Sequence, residues 1–310
     1  MEFDESTVKT QIENALKTLP IGAQTEIAFF GGSFTGIDRE LMVRLLQTAQ
    51  RYVDRGDVSS IRLSTRPDYI DDGILDLLSR FSVDTIELGL QSMDDEVLLA
   101  TKRGHTAEDA RNACKMIVER GFSLVGQMMI GLPKSDLSKE IETAKEICAL
   151  GASAARIYPT VVFYDTPLCK LAESGAYKPI TVSDACVRAA EVLGVFLENQ
   201  VPCIRIGLCA TESLTSPERV YAGPNHPALG ELVWNEYYYK KIINAVKNTA
   251  LLGQDVILTV PASDVSKAVG QRRSNLIRIQ KETDTRIRRV VGQAACKTVL
   301  AELWSKEKCK

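Results

Sequence analysis

The chain has 310 residues, 45% of them apolar and 25% charged, with a formal net charge of −2. This is the make-up of a soluble globular protein that buries a full core without disulfide staples, as one large domain with a small one or as two domains. No run of about 18 apolar residues predicts a membrane span, and the acidic start Met1-Glu2-Phe3-Asp4-Glu5 lacks the apolar centre of a signal peptide, so the expected compartment is the cytoplasm.

Helix and strand patterns alternate through the first 160 residues. Val8, Ile12, Ala15 and Leu16 fall at helical spacing within 5–19, with Ser6 or Thr7 as N-cap. The run 25–30 is apolar and ends at Gly31-Gly32, which predicts a buried strand. A helix follows over 38–54, with Leu41, Met42, Leu45 and Leu46 on one face. Strands are predicted over 60–65, 84–90, 123–130 and 154–158, and helices over 71–80, 106–120 and 136–149. Strands separated by helices imply right-handed parallel units, hence a parallel α/β sheet or barrel whose site lies at the carboxyl ends of its strands.

Between 161 and 250 the pattern weakens. Helices are expected over 181–199 and 229–249 and a strand near 203–207, with Pro217, Pro224 and Pro227 breaking the stretch between them. The bland interpretation is a helical cap that closes the barrel. The eight cysteines are Cys114, Cys148, Cys169, Cys186, Cys203, Cys209, Cys296 and Cys309. No two are spaced C-x2-C, so free, mostly buried thiols are expected.

Six segments carry polar or glycine residues just after or within strands. In Phe29-Phe30-Gly31-Gly32-Ser33-Phe34-Thr35 the glycine pair leaves backbone uncovered for a ligand, although a tight turn would also explain it. Leu63-Ser64-Thr65-Arg66-Pro67 puts hydroxyls and a guanidinium at the next strand end. In Ile86-Glu87-Leu88-Gly89-Leu90-Gln91-Ser92 the carboxylate of Glu87 needs a ligand or an internal ion pair with Arg62 or Arg66. Lys102-Arg103-Gly104-His105-Thr106 reads as a basic turn before a helix capped by Thr106 with Asp109. Met128-Met129-Ile130-Gly131-Leu132-Pro133 and Arg156-Ile157-Tyr158-Pro159 complete the series.

Taken in order, these six segments resemble the radical S-adenosylmethionine (SAM) barrel of the Elongator-catalytic-subunit-like branch, over roughly residues 20–230. The resemblance implies an incomplete (β/α)6 TIM-like barrel and a [4Fe-4S] cluster that reductively cleaves SAM to a 5′-deoxyadenosyl radical. It implies that Gly31, Gly32 and Ser33 bind the methionyl amino group, and that Ser64 and Arg66 lie near the ribose and carboxylate. Gln91 would face SAM, Met129 and Ile130 would pack on adenine, and Lys102, Arg103 and His105 would face substrate. An active form would draw electrons from a donor such as flavodoxin or ferredoxin. The family's cluster cysteines sit after a first strand that has no counterpart here, and no C-x3-C-x2-C motif occurs. Because the SAM-side residues persist, the expectation is a chain truncated at its N-terminus and inactive alone rather than a cluster-free relative, and in both cases no cluster is expected to assemble on this chain.

Residues 254–310 hold 12 Lys or Arg against 6 Asp or Glu, a net of +6, which leaves −8 on the rest of a chain whose total is −2. A basic tail on an acidic body points to a polyanion. Its predicted order is strand 255–260, helix 263–269, turn Gly270-Gln271-Arg272-Arg273, helix 274–283 and strand 285–289. This resembles a KH-type unit, whose G-x-x-G loop grips an RNA backbone, with Arg273 in place of the second glycine. Gly270, Arg272 and Arg273 are the candidate RNA contacts. The expected organisation is a partial barrel over 1–160, capping and closing elements over 161–250, and the KH-like segment over 254–310. The function these features imply is that of a radical SAM protein acting on RNA, tRNA above all. Coproporphyrinogen-oxidase-like radical chemistry and a non-catalytic RNA-binding scaffold stand as alternatives.

Overall fold

The computed structural model describes residues 4–20, 23–208, 214, 216 and 218–305. It divides into two compact units: Met1–Tyr158 with Val195–Arg205, and Pro159–Gly194 with Ile206–Lys310. Among the described residues no helix is long and apolar enough to cross a membrane.

The first unit is built on a six-stranded sheet. Its strands are β1 (Glu26–Phe29), β2 (Ser60–Thr65), β3 (Val83–Gln91), β4 (Ser123–Ile130), β5 (Ala154–Pro159) and, from beyond the connecting segment, a strand at Cys203–Ile206, in that spatial order. The first four pair in parallel, with Glu26 opposite Ser60, Ile61 opposite Val83 and Thr85 opposite Ser123. The strand near 203–207, expected among the closing elements, is thus the sixth member of this sheet. The sheet is curved into a half-barrel. Strands lie about 4.8 Å apart, yet Arg156 on β5 reaches Glu87 on β3 at 2.7 Å and stacks on Phe30 just after β1.

Helices separate the strands: α1 (Glu5–Leu16), α2 (Arg39–Asp54), α3 (Asp72–Leu78), α4 (Asp95–Ala100), α5 (Ala107–Glu119) and α6 (Leu137–Ala149). Aspartate starts most of them. Asp4, Asp38, Asp71, Asp94 and Asp136 each accept a hydrogen bond from the backbone N–H three residues on. The cap of α1 is therefore Asp4 rather than Ser6 or Thr7, and α1 ends at Leu16, short of the expected 19. Thr106 and Asp109 form the reciprocal capping box of α5. Helix α2 buries Met42, Leu45, Leu46, Ala49 and Tyr52, and each of its large side chains contributes about 1.5–3 kcal/mol. Gly126 of β4 is bare because a Cβ there would lie 2.5 Å from Ile147 Cγ2 of α6. That contact also assigns the faces of β4: Gly126, Met128 and Ile130 turn to the helices, while Gln127 and Met129 turn to the concave side.

In the second unit, β6 (Val162–Phe163) pairs antiparallel with β8 (Val220–Ala222), counting the 203–206 strand as β7. Helices α7 (Pro167–Glu173), α8 (Val182–Glu198, of which 195–198 fall in the first unit) and α9 (Leu229–Asn248) precede the basic segment. That segment runs β9 (Asp255–Pro261), α10 (Val265–Val269), α11 (Ser274–Thr283), β10 (Arg286–Gln293) and β11 (Leu300–Leu303). Central β9 pairs in parallel with β10 and antiparallel with β11. The final strand was not expected from sequence. Nor does the segment keep a private core: Val256, Leu258, Val260, Ala268 and Ile279 pack with Tyr238, Ile242 and Val246 of α9.

Candidate functional site

The carboxyl ends of β1 to β4 converge on one region. After β1, Gly31 takes φ +106°, and a Cβ built at Gly31 or Gly32 would meet no atom within 4 Å. Their backbone is thus open to an approaching group. Phe29 and Phe34 stack at 4.5 Å and brace the turn from beneath. Thr35 Oγ1 ties it to the next loop through Thr65 Oγ1 (2.6 Å) and the carbonyl of Tyr69 (2.8 Å). Gly31, Gly32 and Ser33 sit at the rim of a cavity of about 520 Å³ whose walls include Ile12 and Leu16 of α1 and Ile27 and Phe29 of β1.

Ser64 and Glu87 are register partners on β2 and β3. Arg66, just past β2, is held in a fork by Asp68 (2.9 and 2.7 Å), and its guanidinium lies 5.4 Å from the Tyr69 ring centre. At the end of β3, Gln91 adopts φ +66°, and its amide nitrogen would be 2.8 Å from a Cβ at Gly89. The bare glycine lets Gln91 fold back over the strand. Beyond α4, exposed Lys102 also has positive φ (+53°). Arg103 Nη2 donates to Met129 Sδ at 3.0 Å, while its Nε is buried with no partner. His105 is buried, with Nε2 3.3 Å from the Leu90 carbonyl and Nδ1 without a partner. Burial pushes its pKa below the usual imidazole value, so the neutral ring donates through Nε2.

The motif Met129-Ile130 is divided between two environments. Met129 touches Arg103 on the concave side, whereas Ile130 alternates to the helix side and is fully buried.

Below the rim lies a cluster that the sequence only half revealed. Glu87 is fully buried and accepts hydrogen bonds from Arg62 (3.0 Å), Arg156 (2.7 Å) and Gln127 (2.8 Å). The internal ion pair anticipated with Arg62 is present. Arg66 is not part of it, and Arg156 takes the second position. The available signal was a charged or amide residue at alternate positions of otherwise apolar strands. Gly270, Arg272 and Arg273 belong to the second unit.

Among the described residues no three His, Cys, Asp or Glu side chains gather as a metal site. Cys114, Cys148, Cys169, Cys186, Cys203 and Cys296 are separate free thiols. Burial drives the Cys114 thiol up to about 12, so it stays protonated at neutral pH and is a poor ligand. Cys209 and Cys309 lie outside the described residues.

A parallel half-barrel with its polar and glycine residues at the strand ends defines an α/β enzyme-type scaffold. Its family is specific: the radical SAM superfamily model matches residues 3–147 and the radical SAM C-terminal domain matches 152–239. The chain belongs to the radical SAM superfamily. It is 26% identical over 197 residues to the tRNA uridine(34) acetyltransferase of Methanocaldococcus jannaschii, covering 57% of this chain and 36% of that one. To human Elongator complex protein 3 it is 32% identical over 138 residues, covering 44% and 25%. The chain thus spans well under half the length of these two relatives. The solved structure of the archaeal Methanocaldococcus infernus Elp3 with an N-terminal deletion (1–46) superposes with a TM-score of 0.61 at 21% identity, covering 82% of this chain and 62% of that one, and so shares the fold.

The family implies SAM and a [4Fe-4S] cluster. The rim suits SAM, because the open backbone at Gly31 and Gly32 admits an ammonium group. The described residues do not suit the cluster, for want of three neighbouring thiolates.

Proposed function

We propose that this chain binds SAM along the carboxyl ends of β1 to β4 and acts on RNA, tRNA in particular. Gly31, Gly32 and Ser33 receive the methionyl amino group, Ser64 and Arg66 its ribose and carboxylate side, and Gln91 and Met129 the remainder. The observation that carries this reading is the convergence of these residues on consecutive parallel strand ends, with the glycine backbone left bare. Lys102, Arg103 and His105 form the substrate side. The RNA reading is supported by the likeness to a tRNA uridine(34) acetyltransferase and by the +6 charge of residues 254–310. There, Gly270, Arg272 and Arg273 would hold the RNA backbone in the manner of a KH loop.

The described residues supply no cluster ligand set, so an electron donor of the flavodoxin or ferredoxin type concerns only a form that carries the cluster. That misfit favours one second reading, an RNA-binding scaffold without catalysis. Anaerobic incubation with iron, sulfide, reductant, SAM and a tRNA transcript tests both. Binding of SAM and tRNA with fewer than about four irons per chain supports the proposal. Failure to bind SAM, with tRNA still bound, leaves the scaffold.

A further inference from the structure

Several arginines near strand ends and helix faces hold carboxylates. Arg62 and Arg156 share Glu87, Arg66 holds Asp68, Arg111 holds Glu146, and Arg278 holds Glu236. Arg103 is different. Its Nη2 donates only to the thioether of Met129, a weak and neutral acceptor, and its Nε is buried without any partner. Its surroundings work against its charge: burial first, and then the nearby cation Arg66, both push its pKa down. A guanidinium nevertheless remains charged at any physiological pH. A partly buried cation with no counter-ion is expensive to fold, and such a group usually marks a ligand's place.

The local backbone is shaped around the same spot. Gly104 has φ +80°, and a Cβ there would lie 2.7 Å from Arg66 Nη2. The positive φ favours glycine, and its bare Cα leaves the Arg66 fork room against the loop that carries Arg103. Asp68 balances Arg66, and His105 is held neutral by burial. Among the described residues, the partly buried Arg103 charge therefore has no carboxylate partner where the ends of β2, β3 and β4 meet. A guanidinium's flat fork fits a tetrahedral or planar oxyanion through two parallel hydrogen bonds.

We propose that Arg103 seats a backbone phosphate of the RNA substrate at this rim. The inference rests on the RNA reading given above. A nucleotide drawn out of its stack toward a pocket brings its own phosphate to the mouth, and Arg103 is placed to receive it. The same oxyanion chemistry could come from the carboxylate of SAM, and the test separates the two sources.

The full chain and its Arg103→Gln and Arg103→Lys variants are titrated with an unmodified tRNA transcript across a salt series, and with SAM by calorimetry. Arg103→Gln is expected to weaken tRNA binding about tenfold or more, the worth of a charge-assisted contact. It should also flatten the log–log salt slope by about 0.7–0.9. Arg103→Lys keeps the slope but recovers only part of the affinity. SAM affinity stays at the wild-type value, and the melting temperature of Arg103→Gln does not fall, because the variant removes an unpaired buried charge. Wild-type tRNA affinity and slope in Arg103→Gln overturn the inference alone. Loss of SAM affinity with tRNA binding intact reassigns the oxyanion to SAM and also overturns it. If the wild-type chain binds no tRNA, the RNA reading itself fails, and the inference with it.

Discussion

The guanidinium of Arg156 lies 5.3 Å from the centre of the Phe30 ring, although three strands separate β1 from β5. In a flat sheet those positions would be about 19 Å apart. The contact exists because the sheet curls, and the curl brings side chains from non-adjacent strands over a common floor. Glu87 is the centre of that floor, bonded to Arg62 on one side and Arg156 on the other. Arg156 is thereby held beneath the glycine rim, where its cation covers the aromatic ring that precedes Gly31.

Glu87→Gln should be one of the most destabilising single changes in the first unit. It leaves Arg156 without a carboxylate, while Arg62 retains Glu26 at 2.8 Å. Breaking a buried pair from one side costs about 3–5 kcal/mol, so the urea midpoint should drop sharply. The combined variant Arg62→Met, Glu87→Leu and Arg156→Met should recover most of that loss, since no buried charge remains unpaired. A midpoint for Glu87→Gln equal to wild type would show that water reaches the cluster.

Gly32→Val should weaken SAM binding by about tenfold or more, the equivalent of about 1.4 kcal/mol of lost contact, with the melting temperature unchanged. A Cβ at Gly32 meets nothing within 4 Å, and this residue does not need positive φ, so the fold tolerates the side chain. The branched group would stand over backbone that a ligand must approach. Calorimetry with SAM alone reads the effect. Equal affinity in both proteins would move the ligand away from this turn.

Much of this architecture was legible because its causes are local. Short apolar runs marked the five leading strands and period-3.6 patterns most helices, and Thr106 with Asp109 announced the capping box. Bare glycine after β1 marked the rim. What the sequence hid depends on curvature and register. Arg156 could not be matched to Glu87 without the strand order, which puts β5 two strands from β3. Met129 and Ile130 look equivalent until the register sends one to each face. The six-residue α4 is too short to show a period, and the partnership of the basic segment with α9 is a long-range packing fact. Leu19 fits the helical period of α1 but lies past its end, next to Pro20.

His105 should make the protein lose stability in mild acid. Its folded pKa is pushed down, chiefly by burial. As pH falls below about 6.5, the unfolded imidazole takes up a proton that the folded one refuses. The unfolded chain then binds more protons, so stability rises with pH across this window and falls as acid is added, levelling once the folded pKa is passed. His105→Gln keeps an N–H donor for the Leu90 carbonyl and removes the titration. Between about pH 5 and 7, wild type should therefore lose stability relative to His105→Gln as acid is added. Parallel curves would show that His105 titrates alike folded and unfolded.

Arg272 and Arg273 should account for one to two phosphate contacts in RNA binding by the second unit. Both are in left-handed backbone, at φ +51° and +64°, between Gly270 and the start of α11. At Gly270 a Cβ would meet Ser274 Oγ at 2.5 Å and the backbone N of Asn275 at 3.0 Å, so the turn is tight and requires its glycine. Left-handed φ costs an arginine roughly 1–2 kcal/mol, a strain that a glycine at position 273 would not bear. Replacing both arginines with Ala should flatten the dependence of log affinity on log salt by about one to two units, equally for RNAs of different sequence, since phosphates carry no base identity. Arg273→Gly should separate binding from folding. It relieves the strained φ, offset by glycine's larger entropy loss of about 0.5–1 kcal/mol, so stability holds or rises slightly while RNA affinity falls. The measurement uses the full chain, because the segment shares its core with Tyr238, Ile242 and Val246 of α9. An unchanged salt slope in the double variant would show that this turn does not touch the RNA backbone.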